Sequence, residues 1–495
     1  MSRSGLCVTR TAHTLLPNPR RVIAKPYLPG EEIVSGGDSR AALLVDRILA
    51  IPEPEVASVL AGVMVDFSPR HNGFEQTLER HFELVAHLIA PATHLSHKRR
   101  LLIGAYFTHE YSVESAALFN PSMVLAPDQT KLRPGERRFV MSLRAVGEGH
   151  ISSIEFRSGT LDAASAVTLD PVDSKLVSGR RTPPSSYDKQ KFAAKLVELG
   201  AANEIASSVL ARLSERFTLD DLDHSLALLE ENGFPHAISF ETVKIIRVLA
   251  SSNYVTSFPA DSEICERVIF PAGPNETQGM EDARFVRFVE DDGSVKYYAT
   301  YTAFDGFEIL PQLIETEDFV SFTISTLNGA AAQNKGMALF PRRIDGKYAM
   351  LSRKDRENLH LATSNDVRFW NDVTELHKPS KPWELLQIGN CGSPLETDAG
   401  WLVLTHGVGP MRRYTLSALL LDLADPRRVI GHLPVPLLAP DETEREGYVP
   451  NVLYSCGGLI NGDALVLPYG FSDHGINIAL ISVPELLAKL RSSVV

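Results

Sequence analysis

The stretch Leu359–Trp370, LHLATSNDVRFW, joins a short apolar strand to a polar turn, and this strand–turn unit is the main indication of the fold. Comparable strands recur along the chain, and several lead into a turn of similar kind, such as DLADP at Asp422–Pro426. Repeats of a few tens of residues made of strands and turns are typical of β-propellers, with one repeat in each blade. The recurring strands are Ile151–Phe156, Val320–Ser325, Leu359–Thr363, Leu416–Leu421 and Ile476–Ile481.

Five such strands predict a mainly β protein with a five-bladed β-propeller. Their spacing is irregular, because a helical block separates the first strand from the second. A pair of β-sandwiches is the structural alternative. We favour the propeller because the repeats continue over so much of the chain.

Two segments have the apolar spacing of helices instead of strands. One runs from about Asp38 to Ile103. The other runs from about Ser186 to Ser251 and contains TLDD at Thr218–Asp221, an N-cap candidate with acids in the first turn. We therefore predict an N-terminal arm and helical region at 1–103, a propeller domain at 104–490, and a helical insertion within it at 186–251.

Composition limits the class of protein. The chain has 495 residues, of which 44% are hydrophobic and 22% charged, as in ordinary soluble globular proteins. A formal net charge of -12 argues against a nucleic-acid-binding surface. The four cysteines are scattered without a CxxC pair, which favours reduced thiols over disulfides or a zinc site. With no apolar run of transmembrane length and no apolar core of a secretory signal, we expect a cytoplasmic protein without a membrane partner.

The segment Gly279–Arg287, GMEDARFVR, sets two adjacent carboxylates beside a guanidinium at the start of a strand. Burying such charges costs free energy unless they are paired or used in function. On regular strand alternation, Glu281 points away from both Asp282 and Arg284. Nothing in the building of a fold requires this arrangement, so the segment is predicted to be a functional site.

Other residues capable of catalysis stand close to predicted strands. Propeller active sites lie on the central axis, where each blade contributes a residue from its innermost strand or the adjoining loop. Each candidate also has a simpler explanation, such as a surface salt bridge or the cap of a turn. Their recurrence across the predicted blades favours a site, and no nucleotide-binding, metalloprotease or nucleophile-elbow motif competes with it. Histidines and acids are not clustered in sequence at metal-ligand spacing. The candidates are Arg144, Lys335, Arg353, His406 and Asp473.

These residues resemble a known family. GMEDAR at Gly279–Arg284 is similar to the G-x-E-D-x-R signature of glycoside hydrolase family 130, the β-mannoside phosphorylases and related β-mannosidases, which are built on a five-bladed propeller. The likeness covers about residues 104–485 apart from the helical insertion. It continues through Lys335, Leu339–Pro341, Asp345–Tyr348, Cys391–Leu395, Gly400–Trp401, Thr405–Val408, Leu420–Leu423, Pro426, Gly447–Val452, Tyr469–Gly470 and Asp473.

The resemblance implies that Asp282 is the general acid and protonates the glycosidic oxygen through a sugar hydroxyl. Inorganic phosphate would attack the anomeric carbon from the opposite face, with inversion, to give α-mannose 1-phosphate. Arginine offers bidentate donors to phosphate and lysine a point charge. Glu281 is expected to be a structural partner that holds the loop. The phosphate-binding positions implied are Lys335, Arg353 and His406, with Arg144 and Arg284 in the same pocket, and the sugar-binding candidates are Asn120, Tyr414 and Asp473.

The expected function is therefore the inverting phosphorolysis of β-mannosides, with β-1,2-linked manno-oligosaccharides as the expected substrates and with use in the synthetic direction open to it. Phosphate would be a co-substrate, with no cofactor and no metal. A homo-oligomer is compatible with the helical regions. Two alternatives stay open at this point: a β-1,2-mannosidase that uses water on the same scaffold, and a non-catalytic carbohydrate-binding propeller.

Overall fold

A computed structural model describes residues 6–29, 39–231 and 236–493. The remaining parts of the predicted N-terminal region (1–5 and 30–38) and of the predicted insertion (232–235) lie outside the described residues. The described helices fall mainly in two blocks that precede and interrupt the strands. They are α1 Arg40–Leu49, α2 Glu53–Phe67, α3 Phe74–Glu83, α4 His97–Tyr106, α5 Lys189–Glu198, α6 Glu204–Ala211, α7 Leu219–Glu231, α8 His236–Ser251 and α9 Val483–Ser492.

Strands dominate the rest, so the predicted mainly β class is confirmed. They are β1 Val8–Leu15, β2 Val22–Pro26, β3 Thr108–Ser112, β4 Ala117–Leu125, β5 Arg137–Val146, β6 Ser152–Leu161, β7 Val167–Leu169, β8 Val177–Ser178, β9 Arg180–Thr182, β10 Tyr187–Asp188, β11 Arg216–Phe217, β12 Tyr254–Ser257, β13 Arg267–Ile269, β14 Gly279–Val289, β15 Val295–Phe304, β16 Ile309–Thr316, β17 Ser321–Thr326, β18 Ala338–Leu339, β19 Tyr348–Ser352, β20 Leu359–Ser364, β21 Asp372–His377, β22 Gln387–Asn390, β23 Leu395–Thr397, β24 Gly400–Val408, β25 Tyr414–Leu421, β26 Val429–His432, β27 Leu453–Tyr454, β28 Leu459–Asn461, β29 Ala464–Phe471 and β30 Gly475–Ser482.

Most of the described strands belong to antiparallel groups of consecutive neighbours. The groups are β4-β5-β6, β14-β15-β16-β17, β18-β19-β20-β21, β22-β24-β25-β26 and β27-β29-β30. The first two are joined into one larger sheet by a parallel pairing of Gly279 with Ser152. Each of the five recurring stretches predicted from the sequence overlaps a strand of a different group, namely β6, β17, β20, β25 and β30.

The N-terminal strand completes the last group. β1 runs antiparallel to β30, with Val8 opposite Ile481, so the two ends of the chain share one sheet. Buried leucines of β24, β25 and β29 then pack with α9 in a single core. A second core, rich in phenylalanine, lies between the first two groups and includes Phe156 and Phe285.

The helical blocks have cores of their own. In the insertion, Phe192, Val209 and Ile246 are buried together. Lys195 fixes this block to the strands, because its Nζ donates a hydrogen bond to the Leu327 carbonyl at 2.9 Å. In the N-terminal block, α1, α2, α3 and α4 enclose a separate apolar cluster.

No single helix among the described residues has the length and apolar composition to cross a membrane. Only a pair of helical segments, Arg40–Leu49 and Glu53–Arg70, meets both criteria together, and these are bent by 114° relative to one another.

Candidate active site

The site is built around a bulge in β14. The pairing register with β15 shifts between Glu281 and Arg284, and Asp282 has a left-handed backbone with φ of 57°. Aspartate and asparagine tolerate this conformation better than most residues. An extra residue at a bulge re-aims the side chains around it. The prediction from regular strand alternation, that Glu281 and Asp282 face opposite ways, is therefore wrong.

Arg144, on β5, contacts both carboxylates. Its Nη2 lies 2.8 Å from Glu281 Oε1 and its Nη1 lies 3.3 Å from Asp282 Oδ1. Asn120 holds the same Asp282 oxygen, with its Nδ2 donating at 2.6 Å. Asn120 also has a left-handed backbone, with φ of 50°, beside a register shift in β4. Irregularities in β4 and β14 thus bring the amide and the carboxylate together.

Two further cations complete the surroundings of Asp282. Arg284 donates from Nη1 to the Asp282 carbonyl at 3.0 Å and from Nη2 to the Tyr454 hydroxyl at 2.8 Å. Lys335 reaches Glu281, with its Nζ 2.5 Å from Oε2, while part of its side chain stays exposed. Glu281 is thus a direct partner of Arg144 and Lys335 within the site, and not only a residue that holds the loop.

Arg353 and His406 form the second half of the cluster. The Arg353 Nη1 lies 3.4 Å from His406 Nε2. Gly389 makes room for both, since a Cβ there would come within 2.6 Å of each side chain. The His406 ring lies 4.6 Å from the ring of Tyr454 and 6.1 Å from that of Tyr414, measured between centroids.

Electrostatics divide the acids into two kinds. Burial alone would raise the pKa of Asp282, but the charges of Arg144, Arg284 and Lys335 hold it below its ordinary value. Burial raises the pKa of Asp473 to about 6, against the opposing charge of Arg144 and with the repulsion of Asp282. One carboxyl is therefore kept ionised, while its neighbour can be protonated near neutral pH.

Histidine 406 is kept neutral. Burial, followed by the charges of Arg353 and Arg284, lowers the pKa of His406 well below its usual range. A neutral imidazole offers one donor and one acceptor but no positive charge. Anion binding at this position would therefore use a hydrogen bond from His406 and the charge of its neighbour Arg353.

The cluster also contains polar atoms that the protein itself does not satisfy. The Nε atoms of Arg144, Arg284 and Arg353 and the Oδ1 of Asn120 are buried without a hydrogen-bond partner among the described residues. Buried polar groups are normally paired, so unpaired donors grouped in one place indicate a binding site. The structure thus brings all nine predicted residues into one cluster. Eight of them are linked by contacts, and Asp473 lies close enough for its charge to interact with those of Arg144 and Asp282.

Sequence reasoning missed Tyr454. Its hydroxyl accepts the hydrogen bond of Arg284 and its ring packs on His406, so it links the two halves of the cluster. The motif GYVPNV at Gly447–Val452 ends two residues before it, and position relative to that motif is the one signal the sequence offers.

A buried carboxylate among cationic donors, placed at bulges in strands of a mainly β fold, can bind an anion beside a group that transfers protons. A family model described as beta-1,4-mannooligosaccharide phosphorylase matches residues 255–492. The 1,2-beta-oligomannan phosphorylase of Thermoanaerobacter sp. (strain X514) is 32% identical over 278 residues, or 52% of this chain and 90% of that protein. The beta-1,2-mannobiose phosphorylase of Listeria innocua is 29% identical over 294 residues, or 56% of this chain and 78% of that protein.

The fold is also similar to the solved structure of the Listeria innocua beta-1,2-mannobiose phosphorylase in complex with beta-1,2-mannobiose. The match covers 77% of this chain and 94% of that one, with 22% sequence identity and a TM-score of 0.44. On the sequence relatives, the chain belongs to glycoside hydrolase family 130, as the motifs predicted. The predicted enzyme class, a glycoside phosphorylase, is confirmed with it.

Proposed function

We propose that this enzyme catalyses the inverting phosphorolysis of β-1,2-linked manno-oligosaccharides to α-mannose 1-phosphate. The observation that carries the proposal is the surplus of cationic donors beside Asp282, where three arginines have a buried Nε without a partner among the residues that the structure describes. A hydrolase on this scaffold would need a base to activate water, whereas phosphorolysis needs cations to hold phosphate. The β-1,2 linkage is supported by the relatives from Thermoanaerobacter and Listeria.

The contacts suggest how the residues share the work. Lys335 and Arg353 are the cations proposed to hold phosphate, because Lys335 is partly exposed and, among the described residues, the terminal nitrogens of Arg353 contact only the His406 ring. Arg144 and Arg284 already use terminal nitrogens on protein oxygens, so they chiefly position the acid and add charge. Asn120, Tyr414 and Asp473 belong to the same cluster and are assigned to the sugar.

In the proposed reaction, phosphate oxygen attacks the anomeric carbon on the face opposite the leaving group. The bond from that carbon to the glycosidic oxygen breaks, and the leaving sugar takes the proton that Asp282 supplies through a sugar hydroxyl. The products are α-mannose 1-phosphate and a chain shorter by one mannose. Because this exchange is nearly balanced in free energy, the enzyme can also extend chains from mannose 1-phosphate.

Phosphate binding would also prepare the acid. Without phosphate, the surrounding cations hold Asp282 ionised, a form that cannot donate a proton. A phosphate dianion beside Lys335 and Arg353 offsets that positive charge and so raises the pKa of Asp282. Proton donation is thereby favoured when the nucleophile is in place, and water has less opportunity to react in its absence.

The arrangement of the strand groups is compatible with the five-bladed propeller expected from the resemblance to the family. We propose that the five antiparallel groups are five blades, and that β1 closes the ring by completing the last one. The catalytic domain would then span 104–490, with the N-terminal region at 1–103 and the insertion at 186–251 as additions to it. We also propose a cytoplasmic location, where phosphate and mannose 1-phosphate are both retained.

The test is incubation with β-1,2-mannobiose and, separately, β-1,4-mannobiose, each with and without phosphate. We expect mannose 1-phosphate from the β-1,2 substrate only when phosphate is present. Free mannose formed without phosphate would instead identify a hydrolase, and faster phosphorolysis of the β-1,4 substrate would overturn the linkage. No turnover of either would support a binding protein.

A further inference from the structure

A second cluster of unsatisfied polar atoms lies away from the candidate active site. His377 ends β21, His432 ends β26, and Glu384 stands in the loop before β22. One potential ligand atom from each residue lies within 4.8 Å of the others. The cluster therefore joins the outer strands of two neighbouring groups to the loop that connects them.

The two oxygens of Glu384 have different surroundings. Its Oε1 accepts hydrogen bonds from the Ser380 backbone N–H and hydroxyl and from the Lys381 N–H, at 3.0, 3.3 and 3.1 Å. Among the described residues, its Oε2 is buried without a hydrogen-bond partner, as are the Nε2 atoms of His377 and His432. Leaving three such atoms together is costly unless something binds them. The loop contacts of Oε1 keep Oε2 pointed at the two imidazoles.

An ion pair within the protein explains only part of this arrangement. Glu384 Oε2 and His432 Nε2 are 3.4 Å apart, close enough to pair if His432 is protonated. The His377 ring would remain unpaired, with its centroid 4.7 Å from that of the positively charged ring. A divalent cation would satisfy all three atoms at once. The 3.4 Å separation also matches two ligands of a tetrahedral zinc ion, which lie about 3.4 Å apart when each bond is about 2.1 Å.

We propose that His377, Glu384 and His432 form a binding site for a divalent transition metal, zinc foremost. Two imidazoles and one carboxylate are donors that zinc accepts, and a water molecule would complete four-coordination. Its hydrogen-bonded Oε1 gives Glu384 the outer support that metal-ligating carboxylates usually have. No metal was expected from the sequence, in which histidines and acids are not clustered at metal-ligand spacing, so this assignment rests on the three-dimensional cluster alone.

The site would be structural in its effect. The loop that carries Glu384 packs tightly on β24 beyond His406. A Cβ at Gly407 would lie 2.4 Å from the Trp383 ring, and one at Gly409 would lie 3.1 Å from the Trp383 backbone. A metal that fixes this loop to β21 and β26 therefore supports the strand on which His406 stands.

The experiment is a zinc titration of chelator-treated full-length protein, followed by calorimetry, with metal content measured before and after dialysis. Cys7 is the exposed cysteine among the described residues, so a C7S background removes one competing thiol. We expect one tight zinc equivalent, a higher Tm with zinc, and binding weakened about 100-fold or more in H377Q, E384Q and H432Q. Cobalt substituted for zinc should absorb visible light as a four-coordinate ion in the parent but not in E384Q.

The matched control is H97Q. His97 lies on the surface between two acids, with Nε2 2.9 Å from Glu75 and Nδ1 4.0 Å from Glu79, so it tests whether any histidine near carboxylates holds zinc. H97Q should bind zinc as the parent does. Equal zinc affinity in the parent and in H377Q would overturn the proposal, even if the other variants failed to fold, because His377 is the least buried of the three. It would leave the cluster as a Glu384–His432 ion pair.

Discussion

Two buried charge clusters in this enzyme use similar residues for opposite purposes. In the first, Arg21 and Arg157 face Glu114 and Glu155, and all four side chains are almost completely buried. Arg21 lies 2.9 Å from Glu114 and 2.7 Å from Glu155, and Arg157 contacts both acids as well. Two guanidinium groups face two carboxylates, of which burial raises the pKa of Glu114 to about 7, and the cluster connects the N-terminal arm to β6.

The second cluster, around Asp282, is not balanced by the protein. Four cations stand near three acids, and one buried nitrogen in each of three arginines has no hydrogen-bond partner in the described part of the chain. A closed network such as the first cluster, in which each arginine pairs with both acids, contributes to structure. An open network such as the second, which has unpaired donors, can accept a charged ligand. Buried charge by itself therefore does not identify a functional site, whereas a surplus of hydrogen-bond donors without partners does.

The strongest test of the open cluster is Asp282→Asn. The variant keeps the size and an acceptor oxygen for Asn120 but cannot donate the catalytic proton. We expect turnover to fall by about 10³-fold or more, which corresponds to roughly 4 kcal/mol in the barrier, with the fold retained. The measurement is the rate of mannose 1-phosphate formation together with Tm. The exposed substitution Asp372→Asn is the control, and activity within tenfold of the parent would contradict the acid assignment.

The matching test of the closed cluster is Glu155→Gln. It leaves Arg21 and Arg157 facing one carboxylate, and breaking a buried pair in this way costs about 3–5 kcal/mol of unfolding free energy. Turnover per folded molecule should be unchanged. Urea denaturation and active-site-normalised rates measure both quantities, with exposed Glu317→Gln as the control. If Glu155→Gln slowed turnover without loss of stability, the division between the two clusters would fail.

Lys335→Ala separates phosphate binding from sugar binding within the open cluster. It removes one charge from the proposed phosphate position and releases Glu281 from its 2.5 Å contact. We expect the KM for phosphate to rise about 10- to 100-fold, or roughly 1.4–2.7 kcal/mol, and the KM for mannobiose to change far less. Initial rates over a grid of both substrates give the two constants. Lys347→Ala, on an exposed turn, should leave both unchanged, and equal rises in both constants for Lys335→Ala would count against the assignment.

The strands and the residues of the open cluster could be predicted from the sequence, because both correspond to local sequence patterns. Apolar runs between polar turns predict strands, and GMEDAR carries the family signature. What it could not supply is the backbone at Asp282, where the left-handed φ depends on contacts with β4 rather than on local propensity. Asn120 and Ser122 of that strand hold Asp282 and the Phe285 N–H.

Clusters assembled from distant segments could not be predicted from the sequence, for a related reason. Arg21 and Glu155 are 134 positions apart, and nothing near either residue indicates the other. His377, Glu384 and His432 likewise come together only because β21 and β26 end side by side. Pairing of this kind is decided by how the strand groups pack, which no local pattern encodes.

The smallest expected effect concerns Asp473, the acid of the open cluster that forms no salt bridge among the described residues. Its pKa is raised by burial to about 6, above the value of about 3.9 for an unfolded chain. A carboxyl that binds its proton more tightly when folded stabilises the fold at low pH and loses that contribution as pH rises through about 6. Its ionisation therefore weakens the fold at neutral pH, by on the order of 1 kcal/mol because partial exposure screens the charge.

Asp473→Asn removes this titration. We expect the variant to be more stable than the parent at about pH 7.5, and the difference to shrink as the pH falls through about 6 and to approach zero below about 4. Urea denaturation of both proteins across that range measures the difference in unfolding free energy. Such a gain, at a position assigned to the sugar, would show that the open cluster keeps a charge at the expense of stability. A difference that does not vary with pH would instead place Asp473 among the ordinary turn residues, and the open cluster would lose its one destabilising acid.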